Sequence, residues 1–169
     1  MTGLYDSFQR QINYLRISIT DFCNLNCVYC SESAVPHLPK GEILTYEEIR
    51  RLIVVVAAMG INKVRLTGGE PLLRPDLIRL VQMISRTSGI DDIALTTNGT
   101  LLRTYAVEIK DAGLTRVNVS LDTLRADRFK EITGNDRLAE VLAGIDLAHR
   151  VGLTPVKVNM VVMRGGNDD

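Results

Sequence analysis

The sequence has no excess of charge of either sign, because 20 lysine and arginine residues stand against 20 aspartate and glutamate residues. The net charge of the chain therefore does not attract nucleic acid or an anionic membrane, and any anion-binding site must come from a local cluster of basic residues. A long hydrophobic run is also absent: the most apolar stretch, residues 52–59, is much too short to span a bilayer, and the first ten residues lack a signal-peptide core. We expect one globular domain in the cytoplasm, with no membrane or nucleic-acid partner.

Cysteine is scarce, and all three cysteines lie in one short segment, at Cys23, Cys27 and Cys30. Cytoplasmic thiols stay reduced, and an odd number of cysteines does not suit a disulfide framework. Three thiolates with the spacing Cys-x3-Cys-x2-Cys can bind three irons of a four-iron, four-sulfur cluster and leave the fourth iron open. A zinc site completed by His37 or His149 is the alternative, since zinc accepts sulfur and nitrogen ligands together. The spacing favours the open cluster.

Short β-branched runs alternate with amphipathic helical stretches, which is the pattern of repeated βα units and a parallel sheet. The sequence predicts five strands, over residues 14–19, 63–67, 92–97, 116–121 and 156–163. It predicts helices over residues 46–59 and 126–132, and another that starts at Pro75 and Asp76 and runs to about residue 87. Two more start near residues 103 and 137 and stop at glycines 113 and 152. A capping box of Thr45 and Glu48 marks the start of the first helix.

Residues two apart in a strand share one face of the sheet, and the predicted strands place polar side chains together on one face. That face either lies in water or lines a closed or half-closed barrel. Parallel sheets are usually covered on both faces, which favours a barrel interior where arginine and lysine could hold a phosphorylated ligand. The polar face consists of Arg16, Ser18, Arg65, Thr67, Ala94, Thr96, Asn118, Ser120, Lys157 and Asn159. The apolar face includes Ile17, Leu66, Leu95, Val119 and Val158.

Two glycine-containing loops follow successive predicted strands. Leu-Thr-Gly-Gly-Glu-Pro occupies residues 66–71, and Thr-Thr-Asn-Gly occupies residues 96–99. Each alone indicates no more than a turn. Ligands of parallel α/β folds collect at the C-terminal ends of strands, so both loops become candidate ligand contacts. There the Glu70 carboxylate could accept a hydrogen bond from an ammonium group.

Together, the cysteine loop Asp-Phe-Cys-Asn-Leu-Asn-Cys-Val-Tyr-Cys and the Gly-Gly-Glu motif resemble those of the radical S-adenosylmethionine superfamily. Further segments, including Lys-Val-Arg-Leu-Thr-Gly-Gly-Glu-Pro, Val-Asn-Val-Ser-Leu-Asp-Thr-Leu and Val-Lys-Val-Asn-Met-Val-Val-Met-Arg, are similar to the MoaA family of GTP 3′,8-cyclases, which begin molybdenum cofactor (molybdopterin) synthesis. The resemblance covers nearly the whole chain. It implies a partial (β/α)6 TIM-like barrel, with residues 1–169 as a radical SAM core domain of about five βα units.

The resemblance also implies ligand contacts. The 4Fe-4S cluster would be bound by Cys23, Cys27 and Cys30. The residues that would contact S-adenosylmethionine are Tyr29, Gly69, Glu70 and Ser120. Those that would contact GTP are Arg16, Arg65, Thr96 and Lys157.

In the implied reaction, an electron from the reduced cluster cleaves S-adenosylmethionine to methionine and a 5′-deoxyadenosyl radical, which abstracts hydrogen from the GTP ribose. The sugar carbon then attacks purine C8 to give (8S)-3′,8-cyclo-7,8-dihydroguanosine 5′-triphosphate. Because the radical arises at the cofactor, no side chain is assigned as catalytic. The implied partners are a reductant such as flavodoxin or ferredoxin and a downstream cyclic pyranopterin monophosphate synthase. A homodimer is left open.

The sequence departs from the family in two respects. It lacks the three C-terminal cysteines of a second 4Fe-4S cluster and the Gly-Gly tail, so we expect it to be part of a longer protein and inactive alone. After Cys30 it reads Ser-Glu-Ser-Ala-Val-Pro, where the family commonly has Met-Pro and glycine. Two other functions are weighed: a radical SAM enzyme acting on a peptide or tetrapyrrole, and a noncatalytic zinc-binding module.

Overall fold

The computed structural model describes residues 3–30 and 37–168. The departure from the family sequence after Cys30 falls outside these ranges. Within them, no helix has both the length and the apolar character needed to cross a membrane.

A short antiparallel hairpin comes first, formed by β1 (Leu4–Tyr5) and β2 (Gln11–Ile12). Asp6 closes it by accepting hydrogen bonds from the Phe8 and Arg10 backbone N–H groups. No pattern in the sequence predicts this hairpin, because two-residue strands are too short to show alternation.

Five parallel strands follow and pair in chain order, each with the next. They are β3 (Tyr14–Ser18), β4 (Lys63–Thr67), β5 (Asp92–Thr97), β6 (Arg116–Ser120) and β7 (Val156–Asn159). Each begins at its predicted residue, so the predicted parallel sheet is confirmed. Since all five strands run the same way, the loops that follow them meet at one edge of the sheet.

Helices connect the strands and match the predicted βα order. They are α1 (Tyr46–Ala58), α2 (Leu77–Ser85), α3 (Leu102–Asp111), α4 (Ala126–Thr133) and α5 (Leu138–Arg150). Short 3-10 turns occupy Lys40–Glu42 and Pro71–Leu73. The predicted capping box of α1 is present: the Glu48 N–H donates to Thr45 Oγ1, and the Thr45 N–H donates to Glu48 Oε2.

The core lies between the sheet and helices that cover its apolar face. On that face Leu66, Leu95 and Val119 have no exposed surface. They pack in one cluster with helix side chains such as Ile53 and Leu80. Burying each such side chain contributes roughly 1.5–3 kcal/mol. The side chains of the opposite face are not part of this core cluster.

The fifth strand differs from its prediction in length and burial. It ends at Asn159 rather than at residue 163, because the Leu121 N–H makes the last ladder bond, to the Asn159 carbonyl. Beyond it, the Asp122 carboxylate accepts the Val161 N–H. Val158, expected in the covered face, is 53% exposed, since β7 pairs only with β6 in the described part of the chain.

Other boundaries shift by one or two residues. Helix α2 starts at Leu77 instead of at residues 75–76, because Asp76 adopts a left-handed conformation with φ of 58° and cannot continue a helix. It also ends at Ser85, two residues before the predicted end. Strands β3 and β6 each end one residue earlier than predicted.

Candidate functional site

The Gly-Gly-Glu loop after β4 packs directly on the start of the cysteine loop. The Gly69 N–H donates to the Thr20 carbonyl at 2.8 Å, and the Glu70 N–H donates to the Phe22 carbonyl at 2.7 Å. A Cβ atom on Gly69 would lie 2.3 Å from the Phe22 oxygen, and one on Gly68 would lie 2.3 Å from the Thr20 oxygen. Both glycines are therefore required for two backbones to approach closely.

Glu70 is fully buried and turned toward the loop after β5. One carboxylate oxygen accepts hydrogen bonds from the Leu72 N–H and from Thr97 Oγ1, and the other accepts from the Asn98 N–H at 2.7 Å. Desolvation raises the pKa of Glu70, and the three hydrogen bonds act in the opposite direction. The carboxylate thus ties two strand-end loops together. Its assignment to the ammonium group of a cofactor stays a prediction.

The cysteine loop is also tied to other elements. The Asn26 and Val28 N–H groups donate to the carbonyls of Thr133 and Ile132 at the end of α4, each at 2.9 Å. The Tyr29 hydroxyl donates to the Asp122 carboxylate after β6. These contacts hold the backbone between Cys23 and Cys30 in place without a disulfide.

The three cysteines form a donor set suited to a cluster. No disulfide joins them. Burial raises the pKa of Cys27 to about 11, with further increases from Asp122 and from the other two cysteines. Burial likewise raises the pKa of Cys23, helped by Glu70 and Cys30. The Cys30 N–H donates to the Cys27 carbonyl at 2.9 Å, which keeps these two residues close together, and bound iron would replace the thiol protons.

A site for a single metal ion, such as zinc, needs a different arrangement of ligands from a four-iron cluster. No group of three His, Cys, Asp or Glu side chains in residues 3–30 and 37–168 is arranged to hold a metal ion. A four-iron cluster distributes its thiolates over separate irons, so it does not need them to converge on one point. His37, considered as a zinc ligand, lies 3.3 Å from Asp21 through Nδ1 and stacks on Phe22.

The predicted GTP contacts lie on the polar face of the sheet, where the strand register brings them together. Arg16 is paired with Arg65 across β3 and β4. Thr96, Asn118 and Lys157 form one row across β5, β6 and β7. The face predicted from alternation is therefore present, and it is opposite the buried core face. Ser120, a predicted S-adenosylmethionine contact, is exposed at the end of β6.

A cleft of about 570 Å³ opens on this face near the starts of the strands. Four cationic side chains line it with a single carboxylate, which Arg116 engages at 2.6 Å. The cleft has a net positive charge and suits a polyanionic ligand. Its charged lining residues are Lys63, Arg65, Asp92, Arg116 and Lys157. The sequence did not single out Lys63 or Arg116 as ligand contacts. Lys63 lies two residues before Arg65, and Arg116 lies two residues before Asn118, so both side chains are on the predicted polar face.

Two buried polar atoms on this face have no protein partner within the described ranges. They are Arg65 Nε and Asn118 Oδ1. Asn118 is only 3% exposed. An unsatisfied buried polar group costs roughly 1–3 kcal/mol. Native proteins pair such groups with protein, water or ligand, so these two atoms are available to a polar ligand on this face.

Residues 17–169 match the Radical SAM superfamily, and the chain belongs to that superfamily. Two similar curated proteins are named GTP 3′,8-cyclase. The protein from Alkaliphilus metalliredigens is 55% identical over 97% of this chain and 52% of its own length. The protein from Pelotomaculum thermopropionicum is 57% identical over 98% of this chain and 51% of its own length. The chain thus spans about half the length of the curated relatives it matches.

Solved structures show the same fold at low identity. Streptococcus suis SuiB bound to S-adenosylmethionine aligns with a TM-score of 0.76 at 22% identity, covering 89% of this chain and 34% of that chain. Methylornithine synthase (PylB) aligns with a TM-score of 0.71 at 17% identity, covering 87% of this chain and 44% of that chain. The five-stranded parallel sheet is accordingly a partial βα barrel of the radical SAM type, as expected from the sequence.

Proposed function

We propose that this chain is the radical SAM core, residues 1–169, of a GTP 3′,8-cyclase that acts in molybdenum cofactor synthesis. The observation that carries the proposal is the cationic cleft on the polar face of the sheet. On the same face, the buried Arg65 Nε and Asn118 Oδ1 atoms have no protein partner within the described ranges. The names of relatives at 55% and 57% identity support GTP as the nucleotide.

At the C-terminal edge of the sheet, Cys23, Cys27 and Cys30 would hold a 4Fe-4S cluster. The cluster and S-adenosylmethionine, when bound, supply the radical chemistry of the superfamily. The Gly-Gly-Glu loop would orient that cofactor. Gly69 allows its backbone to pack against the cysteine loop, and the buried Glu70 carboxylate fixes the position of the loop after β5. Tyr29 and Ser120 lie at the same edge and complete the proposed cofactor contacts.

In the barrel interior, Arg16, Arg65 and Lys157 would bind the triphosphate, and Thr96 would contact the nucleotide. Arginine binds phosphate through two parallel N–H groups, and lysine contributes a point charge. The Arg65 Nε atom, which has no protein acceptor within the described ranges, would gain one from a phosphate oxygen. These contacts would hold the triphosphate near the starts of the strands and orient the nucleoside toward the cysteine loop at their C-terminal ends.

The proposal extends to the whole protein. A second 4Fe-4S cluster would be supplied by sequence outside this chain. A flavodoxin or ferredoxin would donate electrons in the cytoplasm, and a cyclic pyranopterin monophosphate synthase would use the product.

Calorimetric titration of GTP into the purified chain tests the substrate assignment. Lys157→Ala and Arg65→Ala should each weaken GTP binding by about tenfold or more, because each removes a charge-assisted hydrogen bond of roughly 1.5–3 kcal/mol. Arg150→Ala is the matched control, since Arg150 forms an exposed ion pair with Asp146 on α5. Unchanged GTP affinity in Lys157→Ala would refute the triphosphate role and favour a radical SAM enzyme with another substrate.

A further inference from the structure

We propose that Asn98 is a positioning residue for the cysteine loop, and that its side-chain N–H group donates to the sulfur of Cys23 and thereby raises the reduction potential of the cluster. The inference rests on the proposed function, because it concerns the cluster that the three cysteines would hold.

The amide nitrogen of Asn98 makes two contacts with the cysteine loop. Nδ2 lies 3.7 Å from Cys23 Sγ and 2.8 Å from Asn24 Oδ1. The first distance is a normal length for a hydrogen bond to sulfur. A side chain from the loop after β5 thus reaches one of the three cluster ligands directly.

The orientation of this amide is fixed by its other contacts. Asn98 Oδ1 accepts from the Thr100 N–H at 3.0 Å and from Thr100 Oγ1 at 2.7 Å. Thr100 Oγ1 in turn accepts from Asn24 Nδ2 at 3.0 Å. The three side chains therefore form a closed ring of hydrogen bonds. Because Oδ1 must face the Thr100 N–H donor, Nδ2 must face Cys23.

The Asn98 backbone is held just as firmly. Its N–H donates to a carboxylate oxygen of Glu70, which is fully buried. A continuous set of contacts therefore runs from the Gly-Gly-Glu loop through Asn98 to Cys23. Shared contacts of this kind fix the position of a cluster ligand relative to the neighbouring strand-end loop.

A hydrogen bond to a cluster sulfur has a defined electrochemical effect. Reduction adds negative charge to the cluster, and an N–H group pointing at a sulfur stabilises that charge. Removing the donor should therefore shift the midpoint potential to more negative values. A purely structural role for Asn98 in its turn would not change the potential in this way.

The test compares two asparagine-to-serine substitutions in the same ring. Asn98→Ser can still accept from the Thr100 N–H but is too short to reach Cys23, whereas Asn24→Ser leaves the Asn98 contact with Cys23 in place. Asn98→Asp is a second variant, which keeps the shape and both bonds accepted from Thr100 but adds a negative charge beside Cys23. Its potential should therefore be the most negative of the set, and Asn98→Ser alone measures the loss of the donor. Each protein is reconstituted anaerobically with iron and sulfide, and the midpoint potential and the EPR spectrum of the reduced cluster are recorded.

We expect a more negative potential in both Asn98 variants, by a larger shift than in Asn24→Ser. If neither Asn98 variant takes up a cluster while Asn24→Ser does, and all metal-free variants melt like the parent chain, the positioning role is also supported. Equal shifts in Asn98→Ser and Asn24→Ser, or potentials like that of the parent chain, would overturn the inference while leaving the proposed function intact. A parent chain that takes up no cluster would instead overturn the proposed function, and this inference with it.

Discussion

The hydroxyl of Tyr29 donates a hydrogen bond of 2.5 Å to the carboxylate of Asp122, a residue 93 positions later in the chain. Asp122 is 5% exposed, and its other oxygen accepts the Val161 N–H at 2.8 Å. One carboxylate therefore connects the cysteine loop, the end of β6 and the segment after β7. Burial raises the pKa of Tyr29, and the bond to Asp122 raises it further, so the phenol remains a donor.

This contact should be measurable as a coupling energy. Tyr29→Phe should lower the free energy of unfolding by about 1–3 kcal/mol, because it leaves a buried Asp122 oxygen without its donor. In a double-mutant cycle with Asp122→Ala, measured by urea unfolding of the metal-free chain under reducing conditions, the two effects should be non-additive. Tyr46→Phe is the control: its hydroxyl donates to the Pro75 carbonyl, and it should be additive with Asp122→Ala. If the effects of Tyr29→Phe and Asp122→Ala were additive, the hydrogen bond between Tyr29 and Asp122 would not contribute to stability.

The Gly-Gly-Glu loop gives a steric prediction. Gly69→Ala should lower the free energy of unfolding by about 1–3 kcal/mol, because its Cβ would overlap the Phe22 backbone oxygen, which can move only with the cysteine loop. Gly41→Ala is the matched control, since a Cβ there meets nothing within 4 Å. Thermal unfolding of both variants measures the difference. Equal stability would show that the two loops do not pack as closely as the structure describes.

The ion pair between Asp92 and Arg116 predicts a pH dependence. Partial burial alone would raise the pKa of Asp92, but hydrogen bonds from Arg116 and Thr115 outweigh it, and the pKa falls below the usual 3.8. A folded-state pKa below the unfolded value means that the stabilisation is complete above about pH 4–5 and is lost as the pH falls through the folded-state pKa.

Asp92→Asn should therefore destabilise the chain near neutral pH, by about 1.5–3 kcal/mol for a hydrogen-bonded charge. The difference from the parent chain should shrink as the pH is lowered below about 4. Urea unfolding at several pH values measures it. Asp146→Asn, which breaks an exposed pair with Arg150, should have the smaller effect near neutral pH. A constant difference at every pH would refute the assigned linkage.

We expect the buried amide of Asn118 to contribute to GTP affinity but little to the free energy of unfolding. Asn118→Ala should change the free energy of unfolding of the ligand-free chain by less than about 1 kcal/mol, because no protein hydrogen bond to Oδ1 is lost. GTP affinity should fall, since a ligand partner is removed between Thr96 and Lys157. Asn62→Ala is the control: its Oδ1 also has no protein partner in the described ranges, but Asn62 precedes β4 and lies outside the row of Thr96, Asn118 and Lys157, so the change should leave GTP affinity unchanged. Equal GTP binding in both variants would exclude Asn118 from the site.

Several features of the fold and site follow from short-range patterns in the sequence. Alternation assigns Arg65 and Leu66 to opposite faces of β4, because successive side chains in a strand point to opposite sides. The spacing of Cys23, Cys27 and Cys30 places three thiols on one loop. The start of α1 follows from Thr45 and Glu48, which are three residues apart. Each of these features depends on neighbours within a few residues, so the sequence by itself determines it.

Other features depend on contacts between distant segments, and only the tertiary structure decides them. The direction of the Glu70 carboxylate depends on donors at Thr97 and Asn98, nearly thirty residues later. The segment after β7 is held by Asp122, 39 positions before Val161, and the reach of Asn98 to Cys23 spans 75 positions. No local pattern encodes such pairs, because hydrogen-bond partners are chosen by proximity after the strands have paired. The sequence therefore determines which groups are available, and the packing of parallel strands decides which of them meet.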